Sequence, residues 1–174
     1  MPARKRCLRC SAIPPLVAML DSDSGWEEIT ASRDVRAAQP GYWNKAAIVQ
    51  AGALHKMLRI PDGGAASRAL TEAVSNLLCL SVLDAKKPVI GTSGAAPCLV
   101  RGFEEASTEQ ARHDVLHTLQ NLSIAAGNVP HLQDAGLAAV LMAAVGDASM
   151  TDYALAALCN LVAACPEGHR AVSP

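Results

Sequence analysis

The stretch "HTLQNLSIAAGNVPHLQDAG" (117–136) decides the fold. An Asn interrupts an apolar helical run, and a Gly follows fifteen residues later. Variants of the pattern stand on either side, in "AVSNLLCLSVLDAKKPVIGTSG" (73–94) and "ALCNLVAACPEGHRAV" (157–172). Gly52, Gly94 and Gly136 lie 42 residues apart, as do Asn44, Lys86 and Asn128. An apolar segment follows each Gly: "ALHKMLRI", "AAPCLVRGF", "LAAVLMAAV". Then comes a polar break ("PDGGAAS", "EASTEQ", "GDASMT") and a longer run carrying the Asn. A fixed period in this range means stacked supersecondary units. Each unit reads as short helix, Gly turn, middle helix, loop, long helix, with Gly allowing the sharp turn.

Within the long helices, count from Asn76, Asn121 and Asn160. Apolar residues fall six before, two before and one after: Leu70, Val74, Leu77; Val115, Leu119, Leu122; Ala154, Leu158, Leu161. These offsets form one stripe, the core face. At 100° per residue, the Asn and the residues four and eight before it lie roughly opposite. That face reads Arg68, Glu72, Asn76; His113, His117, Asn121; and Asp152, Ala156, Asn160. The expectation is a polar ladder, one rung per repeat. Its candidate partner-binding residues are Arg68, Glu72, Asn76, His113, His117, Asn121, Asp152 and Asn160. The Asn could instead bond a neighbouring repeat and hold the stack, and the two roles are compatible.

Composition narrows the function. Hydrophobic residues make up 51% and aromatics 3%, so Leu, Ala and Val build the core, which favours helices. A formal net charge of −1 gives no global attraction for nucleic acid or an anionic membrane, and neither is expected as a partner. The six Cys are scattered, and Cys79, Cys98, Cys159 and Cys165 lie in apolar helical runs. They read as buried, reduced thiols of a cytoplasmic and/or nuclear protein. Cys7 and Cys10 have C-x-x-C spacing but no second pair to complete a zinc site. "HDVLH" (113–117) mimics a zincin motif, but Asp is shorter than the Glu that chemistry needs, and no third ligand is evident. No G-x-S-x-G, P-loop or dinucleotide fingerprint occurs. No catalytic residue, metal or cofactor is expected.

The words "SAIPPLVAML" (11–20), "NKAAIVQAGALHKML" (44–58), "LQNLSIAAGNVPHLQDAG" (119–136) and "ALCNLVA" (157–163) resemble the armadillo (ARM) repeat. They are most similar to plant ARM proteins, including the ARM region of plant U-box ubiquitin ligases. The resemblance implies an all-α, right-handed α-solenoid of about three full repeats plus a broken N-terminal one. Long helices would line a concave groove that binds a protein or peptide segment without catalysis. The alternative is the substrate-recruiting fragment of a U-box-type ligase that lacks its U-box. Importin-α also resembles the pattern, but it pairs a Trp with each groove Asn. Here Glu72, His117 and Ala156 stand in that place, which disfavours nuclear-signal binding.

The expected organisation is a basic tail at 1–10 and a degenerate first repeat at 11–43, irregular over 22–43. ARM repeats follow at 44–84, 85–126 and 127–165, and 166–174 start a truncated further repeat. Ends of this kind leave apolar surface open, so self-association through uncapped ends is expected. The irregular segment has a second reading. Back-translated, "VRAAQPGYW" (35–43) allows Tyr-Ala-Leu-Leu-Asn-Leu-Gly-Ile-Gly one base later, which resembles the missing long helix. We take the segment to be a shifted reading frame. A nucleotide sequence that forbids the second reading would rule this out.

Overall fold

The computed structural model describes residues 12–21, 33–35, 37, 42–59 and 66–164. Every regular element among them is helical. The chain divides into two compact units, Met1–Lys86 and Lys87–Pro174.

In the first unit, α1 (12–18) runs into a 3-10 turn, Met19–Asp21. Then come α2 (Tyr42–Gln50), α3 (Ala53–Met57) and α4 (Ala66–Ser81), with a closing 3-10 turn at Asp84–Lys86. α3 packs on α2 and on the Met19–Asp21 turn. Ile13, Val17, Leu20, Ile48, Leu54, Leu70, Leu77 and Leu80 are buried. In the irregular segment, 33–35 and 37 are helical, and Val35 is buried. Apart from Tyr42 and Trp43, which begin α2, the rest of that segment lies outside the described residues, as do the tail 1–10, with Cys7 and Cys10, and 165–174.

In the second unit, α5 (Lys87–Gly91), α6 (Ala95–Glu105) and α7 (Glu109–Ser123) make one triplet. After a 3-10 turn at Ala126–Asn128, α8 (Val129–Asp134), α9 (Leu137–Val145) and α10 (Thr151–Ala164) make a second. The α7 start is fixed by Thr108, an extended residue whose hydroxyl accepts from the Ala111 N–H at 3.2 Å. α7 is the hub, packed against α6 on one side and α10 on the other, and α9 packs on α10.

The three period-defining glycines turn the chain as their spacing predicts. Gly52, Gly94 and Gly136 have φ of 78°, 87° and 96°. A side chain in this left-handed region meets the following carbonyl, so Gly is favoured there. The apolar stripe also forms. Leu70, Val74, Leu77, Val115, Leu119, Leu122, Ala154 and Leu161 are buried, and Leu158 is half-buried.

A buried amide joins the two triplets of the second unit. The Asn128 side-chain N–H group donates to Lys87 O at 2.9 Å and Leu122 O at 3.0 Å. Lys87 begins α5 and Leu122 lies in the last turn of α7, so this one amide ties the start of α5 to the end of α7. Gly91 makes room for this. A Cβ there would lie 2.0 Å from Asn128 Oδ1.

The cysteines depart from the expectation of uniform burial. Cys79 and Cys98 are free and half-buried, and Cys159 is free and exposed. An apolar run places a thiol in a helix, but which face it occupies depends on the neighbouring helix.

Candidate functional site

Each long helix carries one rung of the expected ladder, and the rungs differ. In the first unit, Arg68 is exposed on α4, whereas Asn76 is fully buried, 0% accessible. Asn76 Nδ2 donates to the Glu72 carbonyl one turn earlier, at 2.9 Å. Glu72 is buried too, and its carboxylate meets Arg33 Nε at 3.3 Å. The helical residues around Val35 therefore supply a partner to a rung that the offset arithmetic had put in the open. Asn76 and Glu72 lie inside this unit rather than on an exposed ladder. Angle on a helix shows which residues face together, but not what packs over them.

In the second unit the rungs are more open. His113, His117, Asn121 and Asn160 are half-buried and Asp152 is exposed. The packing of α10 on α7 brings Tyr153 against both histidines. Ring centroids are 4.9 Å apart for His113 and Tyr153, at 84°, an edge-to-face contact. They are 4.8 Å apart for His117 and Tyr153, at 42°, and 6.3 Å for His113 and His117. Sequence reasoning missed Tyr153. It stands seven residues before Asn160, off the four-residue spacing of the rungs, but it is the only aromatic residue in 104–174.

Asn160 Nδ2 donates to Ser123 Oγ at 2.9 Å, and Ser123 Oγ donates to Gln120 O at 2.7 Å. This Asn therefore reaches the preceding long helix, through a hydroxyl, and helps hold the stack. Asn121 sits two residues before Ser123 on the same helix.

Electrostatics favour the neutral imidazole of His117. Burial lowers the His117 pKa below 6.5, the positive charge of His113 lowers it further, and Asp114 opposes both. The cluster presents aromatic faces and hydrogen-bonding edges, and the exposed Asp152 precedes Tyr153 on α10. Among the described residues no group of three or more His, Cys, Asp or Glu side chains could hold a metal ion. None of the described helices is long and apolar enough to cross a membrane.

Comparisons with known proteins agree with this architecture. No family model matches the chain. U-box domain-containing protein 7 of Arabidopsis thaliana is 30% identical over 133 residues, which is 75% of this chain and 17% of that protein. U-box domain-containing protein 45 of the same plant is 38% identical over 87 residues, 49% of this chain and 11% of the relative. The chain thus spans less than a fifth of the length of either. Among solved structures, a designed armadillo repeat protein matches 97% of this chain and 72% of its own, with TM-score 0.77 and 21% identity. Computationally designed armadillo repeat proteins for modular peptide recognition match over the same shares, with TM-score 0.80 and 20% identity. A third, a designed armadillo repeat protein in complex with the peptide (KR)4, has TM-score 0.76 over 95% of this chain and 71% of that one, at 20% identity. With the glycine period and the repeated three-helix triplet, these matches place the chain among the armadillo-repeat proteins of plant type, with the all-α fold of the armadillo solenoid.

Proposed function

We propose that the chain is a non-catalytic interaction scaffold that binds an extended protein segment along His113, His117, Asn121, Asp152, Tyr153 and Asn160. The observation that carries the reading is the junction of α7 and α10. Two imidazoles and a phenol meet across neighbouring repeats, half-open to solvent, with an Asn on each helix in line. Rigid aromatic side chains give contact area at little entropic cost, and amides satisfy a peptide backbone. Designed relatives of the fold take peptides, one of them (KR)4, which supports a peptide as the ligand class. In the first unit, taken by itself, Glu72 and Asn76 are buried beside Arg68. Burial there leaves Arg68 as the rung most open to a ligand.

A second reading follows from the U-box relatives. The chain would recruit substrate for a ubiquitin-ligase module carried elsewhere. Both readings use the same surface and differ in what the bound protein undergoes afterwards.

The test is selection of a peptide ligand from a display library against the full chain, followed by calorimetric titration. Tyr153→Ala and Asn121→Ala should each weaken binding by about 1–3 kcal/mol. Equal affinity for both variants and the parent would move the ligand to another face.

A further inference from the structure

The long helix of the first unit, α4, keeps the 42-residue period of the glycines, and its own hydrogen bonds fix the register. At that offset Asn76 corresponds to Thr118, and Ser81 to Ser123. Asn76 and Thr118 are both fully buried, and each side chain donates to the carbonyl four residues back, Glu72 O at 2.9 Å and Asp114 O at 2.7 Å. Ser81 and Ser123 are buried too, and each hydroxyl donates to the carbonyl three residues back, Leu78 O at 2.8 Å and Gln120 O at 2.7 Å. Leu77 and Leu80 match Leu119 and Leu122, all four fully buried, while Val82 at 51% accessible matches Ile124 at 52%. Asn76 therefore stands where the second unit has Thr118, on an inward-facing position. The position of Asn121 falls on Cys79, and those of His117 and His113 fall on Ser75 and Thr71. Cys79 and Asn121 are both half-buried, as are Ser75 and His117.

We infer that the ligand-facing residues of the first unit are Thr71, Ser75 and Cys79, three positions further along α4 than Arg68, Glu72 and Asn76. The inference rests on the reading of the α7–α10 face as a peptide-binding surface and assigns its counterpart on α4. Register carries it, through paired hydrogen bonds and paired burial, not the size of the side chains or the presence of a thiol. The new register changes the chemistry of the rung. Asn121 offers a peptide group both a donor and an acceptor, whereas a thiol is weak as either. His113 and His117 bring rings, whereas Thr71 and Ser75 bring short hydroxyl side chains. Cys79 is a free thiol, and such a residue behaves as a small hydrophobe. The α4 rung therefore leaves room for an apolar ligand side chain and does not clamp a ligand backbone through an amide. Asn76 has its donor on the Glu72 carbonyl and Glu72 has its carboxylate on Arg33, so both belong to the fold of this unit.

The experiment uses the full chain and the peptide selected on it from a display library. Cys79→Trp fills the rung and should weaken that peptide by about tenfold or more, whereas Cys79→Asn, the residue of α7 and α10 at this position, should retain affinity. On the unmutated chain, saturating peptide should slow alkylation of Cys79 by N-ethylmaleimide, read by peptide mapping, which guards against a Trp variant that fails to fold. Asn76→Thr should melt closer to the parent than Asn76→Ala does, because Thr makes the same bond at position 118. Equal alkylation with and without peptide, together with parent-like binding by Cys79→Trp, would overturn the inference. An Asn76→Thr chain as destabilised as Asn76→Ala would break the equivalence with Thr118 and overturn it without any ligand. The Asn121→Ala variant separates the two failures: it weakens binding when only the α4 register fails, and it has no effect when the peptide lies on another face.

Discussion

Gly91 and Asn128 form a pair whose coupling can be measured. Asn128→Ala removes two hydrogen bonds, to Lys87 O and Leu122 O. Each is worth about 1 kcal/mol net, and the buried amide also leaves space behind when cut to Ala, so a loss of about 2–4 kcal/mol is expected. Gly91→Ala should cost a similar amount for a different reason. Its Cβ would stand 2.0 Å from Asn128 Oδ1 and 2.3 Å from Cγ. No side chain tolerates that approach, so the amide must leave and take its two bonds with it. The double variant separates this account from general fragility. With residue 128 cut to Ala the clash is gone, and Ala at 91 regains a few tenths to about 1 kcal/mol of helix propensity. Gly91→Ala should therefore change sign, destabilising the parent and neutral or stabilising in the Asn128→Ala background. The coupling should be about 2–4 kcal/mol. Urea denaturation of the four proteins, followed by circular dichroism at a common m-value, reads it. Additive losses would refute the close approach.

Three further outcomes are expected. Gly94→Ala should destabilise by about 1–2 kcal/mol, because φ is 87° there, whereas Gly127→Ala, with nothing near its Cβ, should stay within about 0.5 kcal/mol by the same denaturation. Burial raises the Cys98 thiol to about 11, with Arg101 opposing and Glu105 adding, so its thiolate fraction near neutrality is on the order of 10⁻⁴. Mass mapping after brief iodoacetamide treatment should find exposed Cys159 alkylated well before Cys98. Because the folded pKa of His117 lies below 6.5, the unfolded chain takes up its proton first as pH falls. The stability that neutral His117 contributes is full above about 6.5 and fades as pH drops toward the folded value. Tm should therefore fall between about pH 7.5 and 5.5, and less so in His117→Asn. An equal fall in both proteins would remove His117 from the cause.

Much of the fold was legible because two signals have narrow physical meanings. A Gly recurring every 42 residues marks a backbone needing positive φ, and all three have it. Apolar residues at i, i+4 and i+7 can share one face only on a helix, and eight of the nine are buried. The site was less legible because a rung's exposure depends on what lies across from it. Nothing in the spacing of Glu72 shows that Arg33, 39 residues earlier, meets it. Nor does it show that Tyr153 stands against histidines of the preceding helix. Asn128 was visible only as a marker in step with Asn44 and Lys86. Its hydrogen bonds depend on two helix ends converging, which a linear period cannot show.

The repeated Asn has no single role, and its burial sorts the cases. An amide withdrawn from water must find hydrogen-bond partners inside the fold, or it costs more than it contributes. Asn128 meets that condition with the carbonyls of Lys87 and Leu122, and Asn76 bonds the carbonyl one turn back. Both amides are committed to the fold, and a ligand could engage them only by breaking bonds already made inside it. Asn121 and Asn160 are half-buried, so water still reaches both side chains. Asn160 spends its amide N–H on Ser123, which leaves its carbonyl oxygen as the group better placed to accept from a ligand N–H. An Asn160→Asp substitution should then keep the acceptor and lose the stacking bond. It should cost stability while sparing affinity for a bound peptide. Loss of affinity at unchanged stability would reverse the two roles.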